Sequence, residues 1–184
     1  VLEDSDSSNY YVVVFNGRSR NEYNTVNVRH ILIQPEASEL SEDDEGYEDD
    51  VAAKDAEAAQ KAQDILDEWK AGDATESDFA ALASTKSTDS GTASNGGLVS
   101  NMRKGAYVQP FEDWSFDPSR QSGDTGIVES SNGYHVMYFV ETNPQPYWYY
   151  KADLDLKNDA YDEWYAGITD GVEAEQLSGM KYVG

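Results

Sequence analysis

Apolar and polar residues alternate from Val26 to Ile33, so Val26, Val28, His30 and Leu32 share one face and Asn27, Arg29, Ile31 and Ile33 the other. This two-residue period predicts a strand buried on one side and half-covered on the second. After about Val51 the period lengthens. Ala58, Ala62, Ile65, Leu66 and Trp69 recur at spacings of three and four, the stripe of an amphipathic helix that runs to Ala71 and stops at Gly72. Thr75-Glu76-Ser77-Asp78 has the form of a capping box and opens a second helix with Phe79, Leu82 and Ala83 inside. Residues 87–97, rich in Ser, Thr, Gly and Asn, read as a long loop. Pro110 favours the first turn of a short helix carrying Phe111, Trp114 and Phe116. Thr125 to Glu129 reads as a strand, Asn132-Gly133 as a hairpin signal and Tyr134 to Val140 as the returning strand. In that last strand His135, Met137 and Phe139 share a face, opposite Tyr134, Val136, Tyr138 and Val140. Over 26–141 the order is strand, helix, helix, loop, short helix, strand, hairpin, strand. It predicts an α+β module, a small antiparallel sheet covered by helices.

Two flanks lie outside this module. Residues 1–25 form an N-terminal flank: an acidic, Ser-rich start expected to fray, a strand-like run from Tyr10 to Phe15, and a polar linker. Asn143-Pro144-Gln145-Pro146 breaks the strand pattern and suggests a boundary. Beyond it, 142–184 reads as a helical C-terminal flank, with Tyr150, Leu154, Tyr161, Trp164 and Tyr165 as an imperfect apolar stripe between Tyr147 and Ile168. The loop from Pro35 to Asp50 contains the run Ser41 to Asp50, which has no basic residue and is expected to stay solvated and extended.

Composition narrows the function classes. A chain of 184 residues suits one domain plus a remainder, or one elaborated domain, and 39% hydrophobic with 12% aromatic residues supplies a real core. Asp and Glu number 36 against 13 Lys and Arg, a formal charge of −23. A surface this acidic repels phosphate backbones and anionic lipid headgroups, which argues against nucleic-acid binding and electrostatic membrane docking. The longest apolar run, Val12 to Phe15, is far short of a membrane span. The chain opens Val-Leu-Glu-Asp without an initiator Met, and reads as a mature or trimmed chain whose targeting segment has been removed. It has no cysteine, which excludes disulfides, thiolate nucleophiles and cysteine–zinc sites.

The candidate chemistry centres on the only two histidines, His30 and His135. They sit in the first and last strands of the module, each on a face shared with apolar residues. Chain-end strands of a small sheet often become neighbours, and two facing imidazoles would satisfy each other's buried nitrogens. The plainer alternative is two ordinary half-buried histidines. Asp89 is the one acid of the 87–97 loop, either a solvated turn residue or a group held beside His30. Asp89-Ser90-Gly91 and Asp124-Thr125-Gly126 match the short aspartic-protease form, but neither Asp follows an apolar strand and the two are too close for separate lobes. The acidic loop fails the EF-hand form, with Ala52 at the twelfth position, and two histidines without partner spacing make no zinc site. No serine elbow or P-loop is present.

An ordered set of segments resembles the parvulin-type peptidyl-prolyl cis/trans isomerases. Val26-Asn27-Val28-Arg29-His30-Ile31-Leu32 resembles their opening strand, Phe79-Ala80-Ala81-Leu82-Ala83 the core of their second helix, and Ser87-Thr88-Asp89 followed by Gly96-Gly97 their active-site loop. Pro110 to Phe116 and Gly123 to Val128 are similar to the next helix and strand, and Gly133-Tyr134-His135-Val136-Met137 to the closing strand. The resemblance implies a four-stranded antiparallel sheet covered by helices, and isomerisation of X-Pro bonds with no cofactor and no metal. It implies that His30 and His135 are the paired core histidines and that Asp89 holds the position of an Asp or Cys. Phe111 matches the phenylalanine of the proline pocket, Tyr107 stands where the family usually has Met, and Asn132 stands where some members have Ser. Met137 completes the socket. Leu98 lies near the pocket leucine, in an open register, because Gly96-Gly97-Leu98-Val99-Ser100 departs from the family's Gly-Gly-Asp-Leu-Gly.

The loop from Gln34 to Asp50 lacks the Lys and Arg with which phospho-dependent members bind phosphate, so the expected substrate is a non-phosphorylated X-Pro segment of an unfolded or partly folded protein. Similar flanks surround the parvulin module of secreted foldase lipoproteins of Gram-positive bacteria. That likeness implies an extracytoplasmic folding factor at the cell surface or secreted, with any membrane anchor confined to a removed N-terminal segment. The competing reading is a non-catalytic holdase or peptide-binding module on the same fold.

Overall fold

The computed structural model describes residues 21–172 and, ahead of them, the antiparallel backbone pairing of β1 (Leu2–Glu3) with β2 (Tyr10–Tyr11). The rest of the acidic start, of the run Tyr10 to Phe15 and of the linker up to residue 20, with the tail after Val172, lies outside the described residues.

The main sheet has four antiparallel strands in the order β4-β3-β6-β5: β3 (Asn24–Ile33), β4 (Leu98–Met102), β5 (Thr125–Ser130) and β6 (Gly133–Pro146). The first and last strands of the module are central neighbours, paired from Asn24 opposite Pro146 to Ile33 opposite Tyr134. Their alternation decides which side each residue takes. Ile31, Ile33, Val136 and Tyr138 pack against α1 (Tyr47–Ala71) and α2 (Glu76–Lys86), meeting Ala58, Ala62, Ile65, Leu66, Trp69, Phe79 and Ala83. Val26, Val28, Val99, Val128, Met137 and Phe139 face the other way and are covered by Phe111 of α3 (Gln109–Ser115). Thr75 caps α2 as its sequence predicts: its hydroxyl accepts from Asp78 N–H at 3.2 Å while the Asp78 carboxylate accepts from Thr75 N–H at 3.3 Å.

Three elements differ from the pattern. α1 begins at Tyr47, so the end of the acidic run is helical rather than extended. Glu48, Asp49 and Asp50 lie in its first turn, where negative charge is favoured by the unpaired N–H groups of the helix start. β6 continues through both prolines to Pro146 instead of breaking at Asn143. Past Phe139 β6 has only β3 beside it, so the prolines need no second row of donors. β4 has no alternation and is defined by its backbone pairing with β3.

α4 (Tyr147–Thr169) follows β6 directly. Its start is tied down, Tyr147 N–H donating to Tyr23 O at 2.8 Å and the two rings stacking at 5.8 Å. No α4 residue is buried, and Tyr161, Trp164, Tyr165 and Ile168 are more than half exposed. Among the described residues no helix is long and apolar enough to cross a membrane.

Gly97 joins the 87–97 loop to the sheet at φ +69°, and a Cβ there would sit 2.1 Å from His30 O. The backbone of His30 donates back to Gly97 O at 2.9 Å. Gly97→Ala is therefore expected to cost more than the ~1–2 kcal/mol of a left-handed side chain alone. Gly105→Ala, at φ +81° in open space, is expected to cost about that amount and no more. Urea unfolding of the two variants measures the difference.

Candidate active site

The β3–β6 register builds the centre of the site. His30 lies opposite Met137 and Leu32 opposite His135, so the two imidazoles are diagonal neighbours on the α3 side of the sheet. Their Nδ1 atoms are 3.2 Å apart and both residues are buried. Phe111 lies edge-on to both rings, with centroids 5.2 Å from each at 89° and 79°. Packed at right angles to both imidazoles, Phe111 fills the space that water would otherwise take.

The 87–97 loop brings the acid. Ser87 Oγ accepts from Leu32 N–H at 3.1 Å, and the Thr88 N–H and hydroxyl both donate to Leu32 O, at 2.8 and 2.9 Å. These bonds clamp the loop to β3 and leave Asp89 Oδ2 3.0 Å from His30 Nε2. Asp89 also accepts from Gly91 N–H at 3.0 Å and from the Thr92 hydroxyl at 2.6 Å. Burial raises its pKa, but the Thr92 and Gly91 donors and His30 outweigh that and hold the carboxyl below its ordinary value. An ionised Asp89 only accepts, which orders every proton behind it. His30 Nε2–H points at Asp89, so His30 Nδ1 is an acceptor. His135 Nδ1–H donates to it, and His135 Nε2 accepts from the Ser130 hydroxyl at 2.9 Å. Both rings are neutral in this arrangement. Burial lowers the pKa of His30 against the pull of Asp89, and burial followed by the neighbouring His30 brings His135 down to about 4.

Tyr107 completes the wall. Its ring stacks on Phe111 at 5.2 Å and 17°, leaving Phe111 only 1% exposed while Tyr107 itself is 42% exposed. Glu112 fixes the turn that carries it, accepting from the N–H groups of Gly105, Ala106 and Tyr107 at 2.9, 2.7 and 2.8 Å. Burial opposes ionisation of Glu112, yet these three donors and Lys104 hold its carboxyl below the ordinary value. Burial, then the charge of Asp89, pushes the Tyr107 phenol up. Met137 is fully buried behind Phe111 in the same cluster.

Two predicted residues stand apart. Leu98 pairs with Arg29, on the α2 side of the sheet, whereas Val99 pairs with Val28 and packs with Phe111 and Met137. Asn132 is exposed in the β5–β6 turn and reaches the site only through its N–H, which donates to Ser130 Oγ at 3.1 Å. Sequence reasoning missed Thr92, Val99, Glu112 and Ser130. Val99 depends on the register of β4 against β3, because β4 itself has no alternation. The others depend on turns that no periodicity describes.

A sheet of this order with a histidine pair at its centre defines a parvulin-type fold. A family model of the PPIC-type PPIase domain matches residues 11–143, and the chain belongs to that family. Foldase protein PrsA 1 of Listeria innocua is 29% identical over 116 residues, covering 63% of this chain and 30% of the Listeria protein. The putative peptidyl-prolyl cis-trans isomerase Cbf2 of Campylobacter jejuni is 30% identical over 119 residues, covering 64% of this chain and 40% of Cbf2. The chain therefore matches less than half the length of either relative. The crystal structure of PrsA from Bacillus subtilis shares the fold, at a TM-score of 0.52 and 20% identity over 84% of this chain and 52% of that one.

The pH consequence has a definite sign. An unfolded histidine takes up a proton below about 6.5, whereas native His135 resists until about 4. Its contribution to stability is full above 6.5 and is lost as pH falls toward 4. Imidazole NMR should show neither native ring titrating near 6.5, and the urea midpoint should fall steadily from pH 7 to pH 4.5.

Proposed function

We propose that the chain is a peptidyl-prolyl cis/trans isomerase that acts on non-phosphorylated X-Pro bonds of unfolded or partly folded proteins, without a cofactor. The observation that carries this reading is the neutral imidazole pair seated on Phe111, with an ionised Asp89 at its outer end. Uncatalysed X-Pro isomerisation takes tens of seconds or more because the planar amide must lose its double-bond character. No bond breaks, so the catalyst needs only to hold the twisted amide better than the planar one. A planar amide places more negative charge on its oxygen than a twisted one does. An apolar socket of Phe111, Met137 and Tyr107 for the pyrrolidine ring withholds water from that oxygen. The Asp89 carboxylate repels the charge of the planar form and tolerates the twisted one. His30 orients Asp89 and faces the rotating carbonyl, and His135 holds His30 in one tautomer. Leu98 and Asn132 stand apart from this cluster and take no part in the mechanism. Since Tyr107 covers Phe111, the proline enters as that ring swings aside.

The catalytic module is assigned to 26–141, with 1–25 and 142–184 as flanks. The foldase name of the Listeria relative supports a folding factor, and in our reading its clients are secreted proteins met outside the cytoplasm. A second reading, a holdase that binds such chains without turnover, is favoured by the closed stacking of Tyr107 over Phe111.

Exchange NMR on Ala-Ala-Pro-Phe peptides separates the two. Asp89→Asn, which keeps the shape and removes the charge, is expected to lower kcat/KM by about 10- to 100-fold with KM little changed. Peptide binding by the wild-type protein without detectable exchange would establish the holdase instead. A phosphoserine before the proline should lower kcat/KM several-fold relative to serine, since Gln34 to Asp50 holds no Lys or Arg.

A further inference from the structure

Arg29 precedes His30 in β3, and alternation sends its side chain to the opposite side of the sheet, toward α2. The side chain is 16% exposed there. Its Nε donates to Glu76 Oε1, in the first turn of α2, at 2.8 Å. Its Nη1 donates to two carbonyls, Asn95 O at 3.1 Å and Gly96 O at 2.9 Å. Those carbonyls close the short 3-10 turn Ala93–Asn95 at the exit of the 87–97 loop. Gly96 has φ +64°, and a Cβ there would stand 2.9 Å from Nη1 and 2.7 Å from the Ala80 Cβ. β3 therefore grips the loop from both sides of the sheet. His30 meets Asp89 and Thr92 on the α3 side, and Arg29 meets Asn95 and Gly96 on the α2 side.

The two grips are joined through the loop backbone. Gly97 N–H donates to Thr92 O at 2.9 Å, Gly96 N–H to Ala93 O at 3.0 Å, and the N–H groups of Thr92 and Ala93 to Asp89 O at 3.3 and 2.9 Å. Ser87 and Thr88 secure only the entry of the loop, on Leu32. We infer that Arg29, on the far side of the sheet from the proline socket, is a positioning residue for the isomerase: it holds the loop exit so that Asp89 stays at His30 Nε2. The inference rests on the X-Pro reading of the site. What it protects is the direction of the proton chain. Without a carboxylate at Nε2, His30 is equally able to donate from Nδ1 to His135 while Nε2 accepts from the Thr92 hydroxyl. Lysine cannot replace Arg29 here, because a single ammonium lacks the rigid fork that reaches a carboxylate and two carbonyls at once.

The test uses Arg29→Lys, with Lys86→Gln as the control, since Lys86 also anchors α2 by an ion pair, to Glu68, but touches no part of the loop exit. Long-range proton–nitrogen NMR through the ring C–H groups reads the tautomers. Wild type and Lys86→Gln should show His30 protonated at Nε2 and bare at Nδ1, and Arg29→Lys should show the two nitrogens averaged. Exchange NMR over a range of Ala-Ala-Pro-Phe concentrations should give Arg29→Lys a kcat lower by about fivefold to tenfold, with KM within about twofold, because the socket lies on the other face. In an Asp89→Asn background, Arg29→Lys should cost nothing further. An unchanged His30 tautomer in Arg29→Lys overturns the proposal, and so does a wild-type ring already averaged, which leaves Arg29 nothing to hold. A full further loss of kcat in the Asp89→Asn background overturns it as well. If Arg29→Lys does not fold, Glu76→Gln, which keeps the guanidinium but weakens its anchor, decides by the same tautomer measurement. Absence of exchange in the wild type would sink the isomerase reading while the tautomer comparison still stands, so the two failures are told apart.

Discussion

One hydrogen bond organises this molecule, the contact between His30 Nδ1 and His135 Nδ1. It joins residues 105 positions apart, across the central strand pair of the sheet. Two imidazoles buried without partners would leave costly unsatisfied nitrogens on the apolar face of the sheet. Paired, they are satisfied at both ends, by Ser130 behind His135 and by Asp89 with Thr92 in front of His30. The direction of every proton in the chain follows from the one group that accepts without donating, the Asp89 carboxylate.

The surrounding structure serves that line of donors and acceptors. Gly97 lets the 87–97 loop press against the His30 backbone, and Ser87 and Thr88 clamp the same loop to Leu32. Glu112 gathers three N–H groups and so places Tyr107 over Phe111. The polar half of the site is therefore built from loop backbone, and the apolar half from the sheet face and α3. The first half adjusts by hydrogen bonds, and the second is as rigid as the core it belongs to. Tyr107 is where the halves meet, half-exposed and stacked on Phe111.

Much of the fold was readable in advance because it obeys local periods. The faces of β3 and β6, the inner stripe of α1, the capping box of α2 and the proline-opened α3 all follow from spacing. The elements that were misread are those where a local preference loses to context. The acidic run enters a helix because its charge sits at the helix start, and β6 runs through two prolines because one side of it needs no donors.

In the site, composition and period by themselves determined that two histidines would lie on apolar strand faces, and that a lone acid would stand in a Gly- and Ser-rich loop. Those are properties of single strands and single loops. Tertiary structure alone decided that the histidines touch, that Val99 rather than Leu98 faces Phe111, that Thr92 and Ser130 close the ends of the proton chain, and that Tyr107 lies over the pocket. The reason is physical. Alternation along a strand sets which side a residue takes, but register between strands and the path of a loop are set by hydrogen bonds made with residues far away in the chain.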